Sequence, residues 1–175
     1  WGFLPWGAAV IVVVLVAGKL HLHHLYHWMD HTLYHEYMVE AGDHVEYMDE
    51  MVEGAVLNPN YDHVIAGKAA YFGDAFFWLR TLVYIATFLM FARLFRKWSL
   101  QEDEAPSLDL HYKQFRRSAL FLVFFAVFSS TLSWDWIMSI DTHWFSTLFG
   151  WYVFSGMWVS FMIFTNVSMI WMRSK

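Results

Sequence analysis

The sequence predicts an all-α integral-membrane helix bundle, and three observations carry that expectation. The 175 residues are 58% hydrophobic and 21% aromatic, more apolar than an ordinary soluble core. The apolar residues gather in runs of about membrane length. Bases cluster at the ends of some runs while acids collect elsewhere, the charge asymmetry of a multi-pass chain. No cysteine is present, so c-type haem attachment, iron–sulfur ligation and disulfides are excluded within these residues. Any redox metal would be carried by a partner or held by histidine. Trp1 opens the chain inside an apolar run without a charged leader and cleavage site, so a signal peptide is not expected and a segment of a longer subunit is.

Four spans are expected. Residues 1–20 form the first, with Pro5 near its start, where a missing N–H costs little, and Lys19 placed to snorkel. Residues 21–70 change character: nine acids face one base, Lys68, which marks an extramembrane segment. Within it His23, His27, His31 and His35 recur every four residues, a drifting stripe if the segment continues as a helix. An i, i+4 histidine pair can share a metal, but no flanking sequence fixes further ligands. The stripe is therefore read as the wet or partner-facing side of a helix, without metal. Asn58-Pro59-Asn60 and Gly67 mark turns back to the bilayer.

The second span, 71–98, carries Arg80 as the interior charge of its apolar run. A buried arginine in lipid is expensive, so it either snorkels outward or pairs with an acid from another helix. Asp135, at the end of the third span (113–133), is the leading candidate, with Asp74, six residues before Arg80, the runner-up. Residues 99–112 read as a polar loop broken by Pro106. Six bases flank it, Arg93, Arg96, Lys97, Lys113, Arg116 and Arg117, so this loop is expected on the cytoplasmic side and the acidic segment outside. Arg173 and Lys175, closing the fourth span (146–175), agree. Ser129 and Ser130, near the outer end of the third span, are read first as bonding their own helix carbonyls, and second, with Asp74, as steps of a proton path.

Residues 134–145 connect the last two spans and hold the richest chemistry. Asp135, Ser139, Asp141 and His143 are interleaved with Trp134, Trp136 and Trp144, as suits the lipid–water boundary. Carboxylates at that depth and a histidine, which titrates near neutrality, form a set able to relay protons or to meet a quinol hydroxyl. The plain alternative is that Asp135 and Asp141 cap helix starts. The four spans contain no histidine in their apolar stretches, which speaks against a bis-histidine haem between them.

The stretch SWDWIMSIDTHWFST, Ser133 to Thr147, closely resembles the motif of the integral-membrane quinone subunits of bacterial alternative complex III, quinol:cytochrome c oxidoreductases whose membrane subunits are NrfD/PsrC-like. Ala66 to Tyr71, Phe76 to Arg80, and Phe91 to Ser99 resemble further stretches of that family, so the likeness runs from about Ala66 to Gly156. Gly73-Asp74 departs from its usual pattern. The resemblance implies part of a roughly ten-span subunit in the bacterial inner membrane. It further implies menaquinone or ubiquinone as ligand, and a homologous membrane subunit, iron–sulfur subunit and cytochrome c subunit as partners. Nucleic acid has no place in it. The residues themselves leave open two other roles: a proton-conducting half-channel with no quinone, and an anchor for peripheral redox subunits.

Overall fold

The computed structural model describes residues 3–41 and 44–173; Trp1, Asp43 and Lys175, used above, lie outside them. Three helices are long and apolar enough to cross a membrane: α4 (Asp74–Glu104), α5 (Leu108–Trp136) and α6 (Phe149–Arg173). The first helix, α1 (Phe3–Lys19), is apolar but only 17 residues long, about 25 Å at 1.5 Å per residue. The helices carry many large apolar side chains outward, among them Trp6 on α1, Leu82 on α4, Leu122 on α5 and Phe164 on α6. That surface belongs in lipid rather than water.

The polar loop expected at residues 99–112 is mostly helix. Gln101-Glu102-Asp103-Glu104 continue α4, and α5 starts at Leu108, so only Ala105, Pro106 and Ser107 make the turn. Polarity alone does not end a helix; straight-chain Gln and Glu are good helix formers. Pro106 forces the break, and the Ser107 hydroxyl then accepts the Leu110 N–H as the cap of α5. Aromatic rings zip the hairpin together: Phe91, Phe95 and Phe88 of α4 meet Phe121 of α5 at centroid distances of 5.1, 5.7 and 6.1 Å. At the other side α5 and α6 cross at Gly150. A Cβ there would stand 3.0 Å from both Cβ and Oγ of Ser130, so glycine permits the approach.

The acidic segment also departs from the helical expectation, and with it the all-α description. His21 takes φ 55°, its N–H bonds Gly18 O and the Leu22 N–H bonds Ala17 O, a left-handed C-terminal stop that ends α1 before the histidine stripe can form. Single 3-10 turns follow at His27–Met29 and His31–Leu33. Then β1 (Tyr37–Ala41) pairs antiparallel with β2 (His44–Met48), from Tyr37 opposite Met48 to Ala41 opposite His44, and with β3 (Val56–Leu57) on its other edge. Val39, Val45, Tyr37 and Tyr47 suit strands better than helix. Two short helices, α2 (His63–Ala66) and α3 (Ala69–Phe72), return the chain to α4.

This segment forms a cap seated on one end of the helices. Its anchor is Trp28, 2% exposed, stacked on Phe72 at 4.7 Å and set edge-on to Phe77 at 4.7 Å. Leu15 of α1, Tyr26, Met29 and Ile65 complete the cluster. Full burial of one such aromatic is worth about 2–3 kcal/mol, so the plug joins α1, the cap and the start of α4 into one unit. Asn58 locks the cap internally, donating from Nδ2 to Thr32 O and His35 O at 2.6 and 2.8 Å.

Two outcomes are expected from this architecture. Cysteines placed at Glu46 in the cap and at Asp103 near the hairpin should react with an impermeant maleimide from opposite sides of a sealed membrane; same-side labelling would contradict the arrangement. Gly150→Leu should wedge α5 from α6, lowering stability by about 1–3 kcal/mol, read as a lower thermal midpoint in detergent, while Gly156→Leu, where no atom lies within 4 Å of an added Cβ, should be neutral.

Candidate functional site

Asp135 occupies the last turn of α5, not a helix start, so it cannot serve as an N-cap. Its side chain is wholly buried and its carboxylate oxygens accept four hydrogen bonds. Arg80 reaches across from α4 with Nε to Oδ2 and Nη2 to Oδ1, each 3.0 Å. Tyr71 donates to Oδ1 at 2.6 Å and Tyr84 to Oδ2 at 3.0 Å. A carboxylate in low dielectric is tolerated only with such satisfaction. The expected Arg80–Asp135 pair is therefore present, as a two-point fork suited to a planar guanidinium.

Arg80 is fixed on every side. Its guanidinium lies between the rings of Tyr71, 4.1 Å, and Phe76, 4.2 Å, and Nη1 donates to Tyr71 O at 3.1 Å. Helical spacing explains the convergence: Phe76, Arg80 and Tyr84 stand four residues apart and share one face of α4. Tyr71, on α3, closes the fork from the cap side. Burial first, and then its bond to the Asp135 carboxylate, push the Tyr71 hydroxyl well above the ordinary tyrosine range, so it keeps its proton and acts as a donor at neutral pH. Nearby, Tyr26 OH donates to Trp136 O at 2.8 Å and Ser139 OH to Asp135 O at 2.5 Å, tying the end of α5 to the cap and to the 3-10 turn Met138–Ile140.

Asp141 and His143 form a second cluster. The Asp141 side chain accepts the His143 N–H at 3.1 Å, a local turn of the chain rather than a cap of α6, which begins at Phe149. His143 Nε2 lies 2.8 Å from Asp62 Oδ2 and Nδ1 3.9 Å from Asp141. Asp62 also caps α2, accepting the N–H groups of Val64 and Ile65. Lys68, just beyond α2, donates to Thr142 O. These contacts clamp the connection between α5 and α6 against the cap.

Between the two clusters a groove of about 270 Å³ opens, with Phe72, Trp134, Met138, Trp144 and Phe145 as its apolar wall. Lys68, Tyr71, Ser139, Asp141 and Thr142 bring polar atoms to it. Three of the sequence-selected residues, Ser139, Asp141 and, through Tyr71, Asp135, thus converge there with Arg80 directly behind. Asp74 does not join them: it pairs with Lys19 at 2.6 Å and lies 3.6 Å from His31. Lys19 is thereby held by an ion pair at the cap. Ser129 and Ser130 both donate to Ala126 O, the local bonding expected of them.

The histidines of the stripe are scattered, because the segment is not a helix. His23 bonds Val14 O at 2.9 Å, His31 contacts Lys19 at 3.2 Å, and His35 bonds Asp49 at 2.8 Å. Among the described residues no group of three or more His, Asp or Glu is placed to hold a metal ion. Tyr71, Tyr84, Lys68 and Asp62 are the members of the site that residue type alone did not single out. Tyr84 had a usable signal, four residues after Arg80; Asp62 and Lys68 depend on the tertiary placement of the cap. No protein-family model matches the chain, and no curated protein matches it.

The buried fork predicts strong coupling. Arg80→Ala or Asp135→Asn alone should each cost about 3–5 kcal/mol by stranding a buried group. The double variant should be less damaging than the sum by about 1–3 kcal/mol in a double-mutant cycle. Additive losses in thermal unfolding would show that the two side chains act independently.

Proposed function

We propose that the chain is part of an integral-membrane subunit of a respiratory quinol-oxidising complex of the alternative complex III type, and that the groove beside Tyr71 and Asp135 receives the quinone ring. The observation that carries this reading is one groove with an aromatic, lipid-compatible wall on one side and a tyrosine hydroxyl bonded to a buried carboxylate on the other. Its volume is near the lower end of ligand pockets and suits a ring head group, with the isoprenoid tail left in lipid. Trp134 and Trp144 offer ring faces for stacking. The Lys68 ammonium offers a donor to a quinone oxygen, and the Tyr71 oxygen, whose own proton is given to Asp135, accepts from a quinol hydroxyl.

Oxidation of a quinol to the quinone releases two electrons and two protons. The electrons pass to a partner, since cysteine-ligated clusters and c-type haems belong to other chains. Within this chain, Lys68 and Tyr71, the latter held in place by Asp135, orient the ring, and the Asp141–His143–Asp62 cluster at the cap side receives protons on their way to water. The likeness of Ser133 to Thr147 to the quinone subunits supports the same assignment. On this reading the six bases flanking the hairpin put it in the cytoplasm and the cap on the periplasmic side, in a bacterial inner membrane, with α1 completing a fourth span. A homologous membrane subunit, an iron–sulfur subunit and a cytochrome c subunit are the partners.

A second reading draws on the Tyr71–Asp135–Tyr84 chain of hydrogen bonds, which descends from the cap into the bundle and describes a proton half-channel with no quinone of its own. The two separate by fluorescence. A short-chain ubiquinone or menaquinone analogue should quench emission saturably, and Trp134→Phe with Trp144→Phe should abolish the saturable part. No saturable quenching, with proton uptake retained in vesicles, would favour the half-channel instead.

A further inference from the structure

The hairpin end of the bundle, opposite the groove, carries a layer of positive charge that the folded chain does not neutralise. Arg93, Arg96 and Lys97 of α4 and Lys113, Arg116 and Arg117 of α5 are all exposed. Among the described residues none of the six makes an ion pair or a hydrogen bond; Lys113 alone has a ring partner, Trp98, at 5.3 Å. The contacts Phe95–Phe121 and Trp98–Lys113 place the two sets at one level of the hairpin. That level is set by length: from Ala75 to Arg93 the helix rises about 27 Å, close to the hydrocarbon thickness of about 30 Å, so the bases stand where lipid phosphates lie.

Among the described residues the two acids that border this layer, Glu104 and Asp109, form no ion pair with its bases. Glu102 is engaged by Gln114 Nε2 at 2.6 Å and lies 3.8 Å from His111, and it follows Lys97 by more than one helical turn. Each base set borders a cleft: one of about 470 Å³ along α4, closed at its far end by Leu100, Gln101 and Glu104, and one of about 360 Å³ along α5, where Tyr112 and Asp109 join the bases. Apolar helix lies on the membrane side of each cleft, and the acidic tip on the water side. A ligand that fits both halves has phosphate oxygens joined to acyl chains. Charge asymmetry alone would orient the helices without any bound molecule; two lined clefts at phosphate depth with unneutralised bases go further.

We infer that the hairpin binds anionic phospholipid through these clefts, the phosphate diester seated between the bases of each helix and the acyl chains lying along α4 and α5. Arginine forks suit phosphate oxygens, and basic pockets beside membrane helices take such head groups. The proposal is independent of the quinone reading, since it concerns the opposite end of the bundle.

Native mass spectrometry of the full chain in detergent, with phosphatidylglycerol, cardiolipin or phosphatidylcholine added in turn, tests it. Phosphatidylglycerol or cardiolipin should be retained in discrete adducts and phosphatidylcholine should not. Arg93→Gln with Arg96→Gln, and separately Arg116→Gln with Arg117→Gln, should each weaken anionic-lipid retention roughly thirtyfold. Arg93→Lys with Arg96→Lys should lose less retention than the glutamine pair, since the charge stays although the two-point fork is lost. Equal retention of phosphatidylcholine, unchanged adducts in the four-residue glutamine variant, or displacement of the lipid by millimolar inorganic phosphate at fixed ionic strength would overturn the assignment.

Discussion

A carboxylate with no exposure to solvent and an arginine whose side chain is 14% exposed meet between α4 and α5, and the rest of the cap end is arranged to make that tolerable. Neither charge could stay in such a place alone; an unpartnered arginine inside lipid costs several kcal/mol, about 2.5–3.5 at mid-membrane on the insertion scale. Two nitrogens of Arg80 and two tyrosine hydroxyls fill the lone pairs of Asp135. One tyrosine, Tyr84, comes from the same helix face as Arg80. The other, Tyr71, comes from the cap, so the fork is complete only when the cap is seated.

That dependence explains why so much of the chain is spent on a structure outside the bundle. The left-handed turn at His21 ends α1 and turns the chain so that Trp28 can plug between Phe72 and Phe77. The small sheet and the Asn58 bonds give the cap its own rigidity, and Asp62 and Lys68 then hold the connection after α5 from outside. The groove is what remains between these two fastenings. Its apolar wall comes mostly from the α5–α6 connection and its donors come from the cap. Displacing the cap would therefore open the groove and take one of the four hydrogen bonds from Asp135 at once.

The parts legible in the sequence were those decided by local composition or by membrane energetics. Apolar runs and flanking bases announced the long helices, and the cost of a buried arginine pointed from Arg80 to Asp135 without any structure. The hydroxyls of Ser129 and Ser130 behave as short polar side chains inside a helix do. Both departures from the expected helix and loop have one cause: neither periodicity nor polarity shows where a helix terminates. Histidines every four residues suggest a helix, but His21 stops α1, and Tyr37–Ala41 and His44–Met48 pair as strands. A run of Gln, Glu and Asp suggested a loop, yet those residues extend α4 until Pro106. Tyr71, Asp62 and Lys68 join the site through contacts 64, 81 and 74 residues away in sequence, a separation that no local pattern encodes.

The proposed seat of the quinone ring is the groove behind which Arg80 and Asp135 pair. Photo-cross-linking with an azido-quinone, followed by peptide mapping of the membrane-embedded chain, tests it directly. A ring seated there should leave label in residues 68–72 and 134–145, suppressed by excess unlabelled quinol and moved or lost when Tyr71→Phe is combined with Trp134→Phe. Label confined to the lipid-facing sides of α5 and α6, undiminished by competitor, would contradict it.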